Sequence, residues 1–306
     1  MSSKAASPVI VTLALILVQV IFGVNYVLSK IIVGVFPPLV WAALRVICSA
    51  IIMLFINILF NKNTPRWDRH FFLPLLGFSL LGMTISQGSF LLGLSHTTST
   101  NSSILNTLIP VFTLVIVTVQ GREPLTISRS IGFFCAFVGV LVIRKVEDFS
   151  FSNQTLLGDM LVMLNALSTA LFLALSKKFI QKYDRLWVTT WLFIYGSVGL
   201  SLVALPEWAT FKLPAMTVLL WSCAAFGVIG TILTYFLSNW ALAHTHSSQV
   251  ALFIYLQPIV ASFLAWLALG EKITFRVILS CSLISFGVLT ALTPPDFFSR
   301  FFRRKK

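Results

Sequence analysis

Charge is scarce in this chain. Asp, Glu, Lys and Arg make up 10% of its 306 residues, against about 25% in an ordinary soluble domain, too little to cover a large water-facing surface. Cysteine is scarce as well: Cys48, Cys135, Cys223 and Cys281 each stand alone in an apolar segment, with no CxxC pair. That excludes a disulfide framework and a thiolate metal site, and it leaves four small hydrophobic side chains. Gly-rich and Ser-rich linkers and low-complexity runs are missing, and with them any detachable soluble domain. The sequence has no GxxxxGK[ST], no HExxH and no GxSxG, and no acidic residue falls near the middle of an apolar run. A nucleotide-driven motor, a zinc hydrolase and a proton relay through Asp or Glu chains therefore lack their parts. Nothing calls for a cofactor or a metal.

What the chain does have is apolar surface. Hydrophobic residues reach 58% and the mean hydropathy is +0.95, more than a soluble core can hide. The expected class is an all-α integral membrane protein with the lipid bilayer as its first partner. A hydrocarbon core of about 30 Å takes roughly 20 apolar residues per helix. Ten runs meet that need, at about 8–28, 38–60, 71–94, 101–120, 128–144, 155–176, 186–206, 215–241, 249–269 and 274–293. Polar stretches such as Gly121-Arg122-Glu123-Pro124 separate them. The first run is too long for a signal-peptide core and has no small-residue cleavage site after it.

The net charge of +13 does not point to nucleic acid, because the basic residues sit in short loops and at the C-terminal end. Alternate sides collect fifteen and six Lys and Arg, with Arg45 inside a run. The positive-inside rule then predicts that both termini are cytoplasmic. The basic stretch Arg300 to Lys306 is expected to lie on anionic headgroups.

The last third of the chain repeats the middle third. Between residues 94 and 141, a shift of 148 positions superposes Leu94, His96, Pro110, Glu123 and Gly139 on Leu242, His244, Pro258, Glu271 and Gly287, among 11 identities in 48 positions. The shift advances each helix by five crossings. Five is odd, so the two units, 1–150 and 151–306, are predicted to be inverted relative to each other. Secondary transporters are often built this way, with the cargo held where the halves meet.

Four stretches carry a family likeness. They are Phe22-Gly23-Val24-Asn25 followed by Lys30; Pro37-Pro38-Leu39 leading to Ala42-Ala43-Leu44-Arg45; Leu156-Leu157-Gly158-Asp159; and the prolines Pro110 and Pro258, each thirteen residues before its glutamate. With Gly139-Val140-Leu141 and Gly287-Val288-Leu289 closing the units, the chain resembles the EamA family of the drug/metabolite transporter superfamily in its ten-helix form. Phe22 stands where the family usually has tryptophan, and Ser280 stands opposite Gly132. The resemblance implies transport of small organic metabolites across an inner or plasma membrane, often the export of amino acids or related compounds.

Polar groups at bilayer depth are costly unless paired or facing water, so they are the candidates for cargo contact. Arg45 lies about 10 Å into its helix at 1.5 Å per residue. It fits either a substrate carboxylate or an internal partner. Asn25, Tyr26 and Trp41 accompany it in the first two runs, and Gln87, Asn101 and Asn106 follow in the third and fourth. Trp191, Tyr195, Tyr235, Asn239, Gln249, Tyr255 and Gln257 come from the second unit. Each has a helix-packing alternative, and Trp187 and Trp208 are expected as interfacial belt residues. Pro110 and Pro258 are expected to kink their helices and shape a cavity. Glu123, Glu271 and Asp159 precede or open helices, where the next helix's dipole favours a carboxylate. His96 and His244 are expected in solvated loops.

The expected activity is secondary-active or facilitative movement of a small-molecule substrate by alternating access, with no nucleic-acid partner, by a monomer or weak homo-oligomer. A flippase for lipid-linked substrates is the alternative. A membrane-embedded enzyme comes third, since it would need clustered acids or a nucleophile with its base.

Overall fold

The computed structural model describes residues 7–60, 68–97, 102, 105–143, 155–257, 259–260, 263 and 275–292. Its first helices are α1 (Pro8–Val33), α2 (Pro38–Phe60), α3 (Arg69–Ser79) and α4 (Ser86–His96), the last two joined by a π-helical stretch, Leu80–Ile85. Next come α5 (Leu108–Val119), α6 (Ile127–Ile143), α7 (Leu156–Lys182), α8 (Arg185–Val203) and a short turn, α9 (Leu205–Trp208). The chain continues with α10 (Val218–His244), α11 (Ser247–Leu252) running into a 3-10 turn (Phe253–Leu256), and α12 (Phe275–Leu292). Seven described segments are long and apolar enough to cross a bilayer, and three shorter apolar helices accompany them. The protein is a multi-pass membrane protein, and each of the ten expected runs overlaps a helix.

Local signals explain where the helices begin. Prolines open α1 and α2, where a missing N–H costs nothing. Asp68, Asp184 and Thr217 accept the backbone N–H groups of His70, Trp187 and Leu220 at the starts of α3, α8 and α10. Gly121, at φ 63°, turns the chain after α5 in the left-handed region that favours glycine. Helix α7 runs on to Lys182, past the expected end of its run, because Lys177, Lys178 and Lys182 can extend to water from a helix end.

The third run was expected as one regular helix. It is instead interrupted: Pro74 lies within α3 and the π-helical stretch follows it. That stretch is held from outside, by Ser168 Oγ donating to Leu81 O (2.8 Å) and Tyr235 OH donating to Gly82 O (2.8 Å). Trp187 is another correction. It is buried in a core with Phe71, Phe72 and Ile180 rather than standing at an interface.

The packing is reciprocal at the 148-residue shift. Helices α2 and α6 lie along their own counterparts, α8 and α12, while α1 packs on α10 and its counterpart α7 packs on α4. Between α6 and α12 the agreement reaches single residues. A Cβ added at Gly139 would sit 2.8 Å from Ile284, and one added at Gly287 would meet Ala136 at 2.5 Å; positions 139 and 287, and 136 and 284, are the same pairs under the shift. Gly132 adds a third close approach, with Gly287 O 2.6 Å from where its Cβ would be. Small residues let the backbones touch, and helix association in lipid rests on such close packing. Large apolar side chains such as Val9, Leu13, Phe55, Ile58 and Phe60 remain exposed on the outer faces, as a bilayer requires.

Gly287→Leu should force α6 and α12 apart and cost about 3 kcal/mol or more. Thermal unfolding in detergent should show this as a drop of several degrees, whereas Gly77→Leu, at a glycine with open space, should change little.

Candidate substrate cavity

A cavity of about 190 Å³ opens between α1, α2, the π-helical stretch with α4, the start of α5, α7, α10 and α11. Phe22, Phe90, Phe172 and Leu173 give it an apolar body, and Asn25, Arg45, Gln87, Asn106, Asn165, Tyr235, Asn239 and Gln257 give it polar points. Arg45 is 5% exposed. Its Nη2 donates to Gln87 Oε1 (2.6 Å), Gln87 Nε2 donates to Tyr235 OH (2.9 Å), and Tyr235 donates to Gly82 O. The guanidinium Nε is buried with no hydrogen-bond partner, and Arg45 makes no ion pair with a carboxylate among the described residues. A charge so placed is stable only if something else in the cavity answers it.

A second cluster faces the other side of α4. Asn165 Oδ1 accepts from Ser86 (2.9 Å) and Thr169 (3.3 Å), and its Nδ2 donates to Asn106 Oδ1 (2.8 Å). Elsewhere Gln257 Nε2 donates to Gln19 Oε1 (2.9 Å), and Asn239 Nδ2 to Thr189 Oγ1 (3.1 Å).

The repeat is visible in this wall. Asn25 and Leu173, Ser86 and Thr234, Gln87 and Tyr235, Phe90 and Ser238, Leu91 and Asn239, Asn106 and Ile254, and Ile109 and Gln257 are each 148 positions apart, and all fourteen residues line the cavity. Gln87 and Tyr235 bond to each other directly. On either side of that bond, Arg45 meets Gln87, and Phe193, 148 positions on from Arg45, sets its ring edge-on to Tyr235 at 5.5 Å.

Of the residues expected to contact cargo, Asn25, Arg45, Gln87, Asn106, Tyr235, Asn239 and Gln257 come together here. Tyr26 lies in α1 with its side chain outside the described structure, and Asn101 and Pro258 lie outside the described residues. Five others do not line the cavity. Trp41 is buried against Gly227, and Trp191 packs edge-on to Phe72 and against Tyr195. Gln249 accepts from the Thr245 hydroxyl, and Tyr255 is buried against Phe133. Aromatic faces gain more from these apolar neighbours than from a wet cavity. Gln19, Ser86, Asn165 and Thr169 were not expected at the site. A polar residue in the middle of an apolar run was their only signal in the sequence.

Pro110 sits in the first turn of α5, and the helical path breaks at Thr107 just before it. The 3-10 turn Phe253–Leu256 occupies the corresponding place ahead of Pro258. Both breaks border the cavity.

The acids lie at the ends of the bundle. Glu123 was expected to serve the helix that follows it, but it reaches α11 instead. It accepts from Ser247 N (2.7 Å) and from the Ser248 hydroxyl, with Arg129 at 3.6 Å and His246 at 3.7 Å. Burial works against its charge, but His246, Ser248 and the nearby Lys177 outweigh burial and hold the carboxyl down at about 2. Asp159, in the first turn of α7, accepts from Thr97 (2.5 Å) and Thr155 (3.2 Å), and Glu207 accepts from Leu39 N and Val40 N at the start of α2. Glu271 lies outside the described residues. His244, expected in a loop, is the last residue of α10 with its Nδ1 2.8 Å from Trp240 O, while His96, which ends α4, is exposed.

A model of the EamA-like transporter family matches residues 9–145 and again 156–293. The uncharacterized transporter YoaV of Bacillus subtilis is 26% identical over 278 residues, covering 91% of this chain and 95% of the relative. A protein of Rickettsia bellii named an S-adenosylmethionine uptake transporter is 26% identical over 233 residues, 75% of each chain. A solved crystal structure superposes with a TM-score of 0.75 at 14% identity, covering 92% of this chain and 95% of that one; this likeness concerns the fold alone.

Glu123→Gln should destabilise the protein by about 1–2 kcal/mol at neutral pH, discounted for water at the bundle end. Because the carboxyl sits at about 2 in the folded state, below its ordinary 4.5, its contribution is complete above the higher value and lost towards the lower one. Melting curves of the two proteins should therefore converge as the pH falls through that window. A gap that stays constant with pH would contradict the role given to the charge.

Proposed function

The chain belongs to the EamA-like transporter family, and from that premise we propose that it moves small organic metabolites bearing a carboxylate, amino acids or related compounds, outward across the cell membrane by alternating access. The observation that carries this reading is Arg45, a buried cation in the cavity wall that pairs with no carboxylate among the described residues. A cargo carboxylate supplies the missing anion and can bind the guanidinium bidentately. The seven expected residues that line the cavity are the proposed cargo contacts, with Gln87 and Tyr235 positioning Arg45. The family name points away from an enzyme. The relative named for uptake of S-adenosylmethionine, a compound that bears a carboxylate, supports the carboxylate part of this reading. Among the described cavity residues no acid is present to couple a proton gradient to accumulation, which favours movement down a cargo gradient, or exchange.

The proposed architecture is ten crossings in two inverted units, 1–150 and 151–306, with both termini cytoplasmic, acting as a monomer or weak homo-oligomer. Reciprocal packing supports it, because a two-fold axis pairs each contact with its mirror contact. The alternation of ends supports it too: Glu123 meets the start of α11, and Asp159 meets the end of α4, as opposite faces of one bilayer require.

In such a carrier the halves exchange conformations. The π-helical stretch Leu80–Ile85 corresponds to 228–233, which is regular helix within α10. In the opposite-facing state the irregularity passes to 228–233, and Gln87 donates to Gly230 O in place of the bond from Tyr235 to Gly82 O. Pro110 and Pro258 act as hinges at the cavity edge.

In proteoliposomes, Arg45→Ala should cut carboxylate uptake at least about 30-fold, the equivalent of about 2 kcal/mol for a lost buried charge contact. Unchanged uptake in a well-folded variant would remove the assignment. Substrate that sets the carrier cycling should speed amide hydrogen exchange across 228–233 and slow it across 80–85. If neither segment responds, the exchange of states is wrong.

A further inference from the structure

The directions of the hydrogen bonds in the cavity say more about the cargo than its carboxylate. Arginine only donates, so Gln87 must turn its oxygen to Arg45 and its nitrogen to Tyr235, whose proton then goes to Gly82 O. The Gln87 and Gly82 oxygens each accept a bond inside this relay. Around Asn165 the oxygens accept as well, with Oδ1 on Ser86 and Thr169, and Asn106 Oδ1 on Asn165 Nδ2. Among the described residues, what these two clusters leave for a ligand is chiefly N–H, from the Arg45 guanidinium and from the Asn106 amide nitrogen. Further along, Asn239 and Gln257, whose amide nitrogens are engaged, present carbonyl oxygens.

With its carboxylate neutralising Arg45, a zwitterion leaves its ammonium as an unneutralised positive charge in a largely apolar space. No carboxylate among the described lining residues replaces the water it gave up. A hydroxyl or an acylated nitrogen at the same atom carries no such penalty, and it can donate to a carbonyl.

We infer that the cargo travels as a net monoanion, with its carboxylate on Arg45, an uncharged hydroxyl or acylamino group in place of an α-ammonium, and an apolar body against Phe90 and Phe172. This rests on the carboxylate reading above and narrows it to hydroxy acids and N-acylated amino acids rather than free amino acids.

Leucine, 2-hydroxyisocaproate and N-acetylleucine share one carbon skeleton and make the test in proteoliposomes. The hydroxy acid and the N-acetyl compound should enter at least tenfold faster than leucine. Their entry should accelerate when a potassium gradient with valinomycin makes the lumen positive, and Arg45→Gln should abolish both effects. Asn106→Asp supplies the missing carboxylate and should shift the preference towards leucine at least tenfold, which keeps the test open if the Arg45 variant fails to fold. Leucine entering as fast as the hydroxy acid, still dependent on Arg45, overturns the monoanion and leaves the carboxylate reading intact. Entry independent of Arg45 overturns both. If none of the three is transported and none shifts the melting temperature, the monoanion is also wrong.

Discussion

One guanidinium shapes the interior of this protein. Arg45 stands in the wall of a cavity inside a membrane bundle, and a charge there is tolerated only when it is paired or hydrated. Among the described residues it makes one side-chain hydrogen bond, from Nη2 to Gln87, while Gln87 donates to Tyr235 and Tyr235 to the carbonyl of Gly82. Those bonds hold the side chain in place without neutralising it. They also tie α2, α10 and the π-helical stretch to one point, so the geometry of the cavity follows from how the charge is held.

Duplication supplies the frame, and divergence supplies the chemistry. Seven pairs of positions 148 apart line the cavity, yet in five of them one member is polar and the other apolar: Asn25 with Leu173, Phe90 with Ser238, Leu91 with Asn239, Asn106 with Ile254, and Ile109 with Gln257. Arg45 and Phe193 differ most, although both approach the central Gln87–Tyr235 bond in equivalent ways. Repeated positions thus enclose an asymmetric space, donor-rich near Arg45 and Asn106 and acceptor-bearing near Asn239 and Gln257.

The charged ends of the bundle do structural work of a different kind. Glu123, Asp159 and Glu207 each answer groups on a second segment, over sequence separations of 124, 62 and 168 residues. Helix N-termini leave N–H groups unsatisfied; Glu123 and Glu207 cap such ends from elsewhere in the chain, while Asp159 takes the Thr97 hydroxyl at the end of α4. The scarcity of acids in the sequence has a use here, since these carboxylates lie at element ends and none lines the cavity.

Residue identities at one fixed shift revealed the repeat, and hydropathy and charge alone determined that this chain lives in a membrane, roughly where its helices lie, and that Arg45 is out of place in hydrocarbon. Those properties belong to single segments, and a transfer free energy can be summed along a segment without knowing its neighbours. The tertiary structure decided which polar residues meet. It brought Gln19 and Asn165 to the cavity, left Trp41, Trp191, Tyr195, Gln249 and Tyr255 in helix packing, sent Glu123 to α11 rather than to the helix after it, and broke the third apolar run with a π-helical stretch. The reason is rotational. Successive residues of a helix turn by about 100°, and nearly every face of a membrane helix is apolar. The side that looks inward is therefore set by the close glycine contacts between helices, which no single helix records.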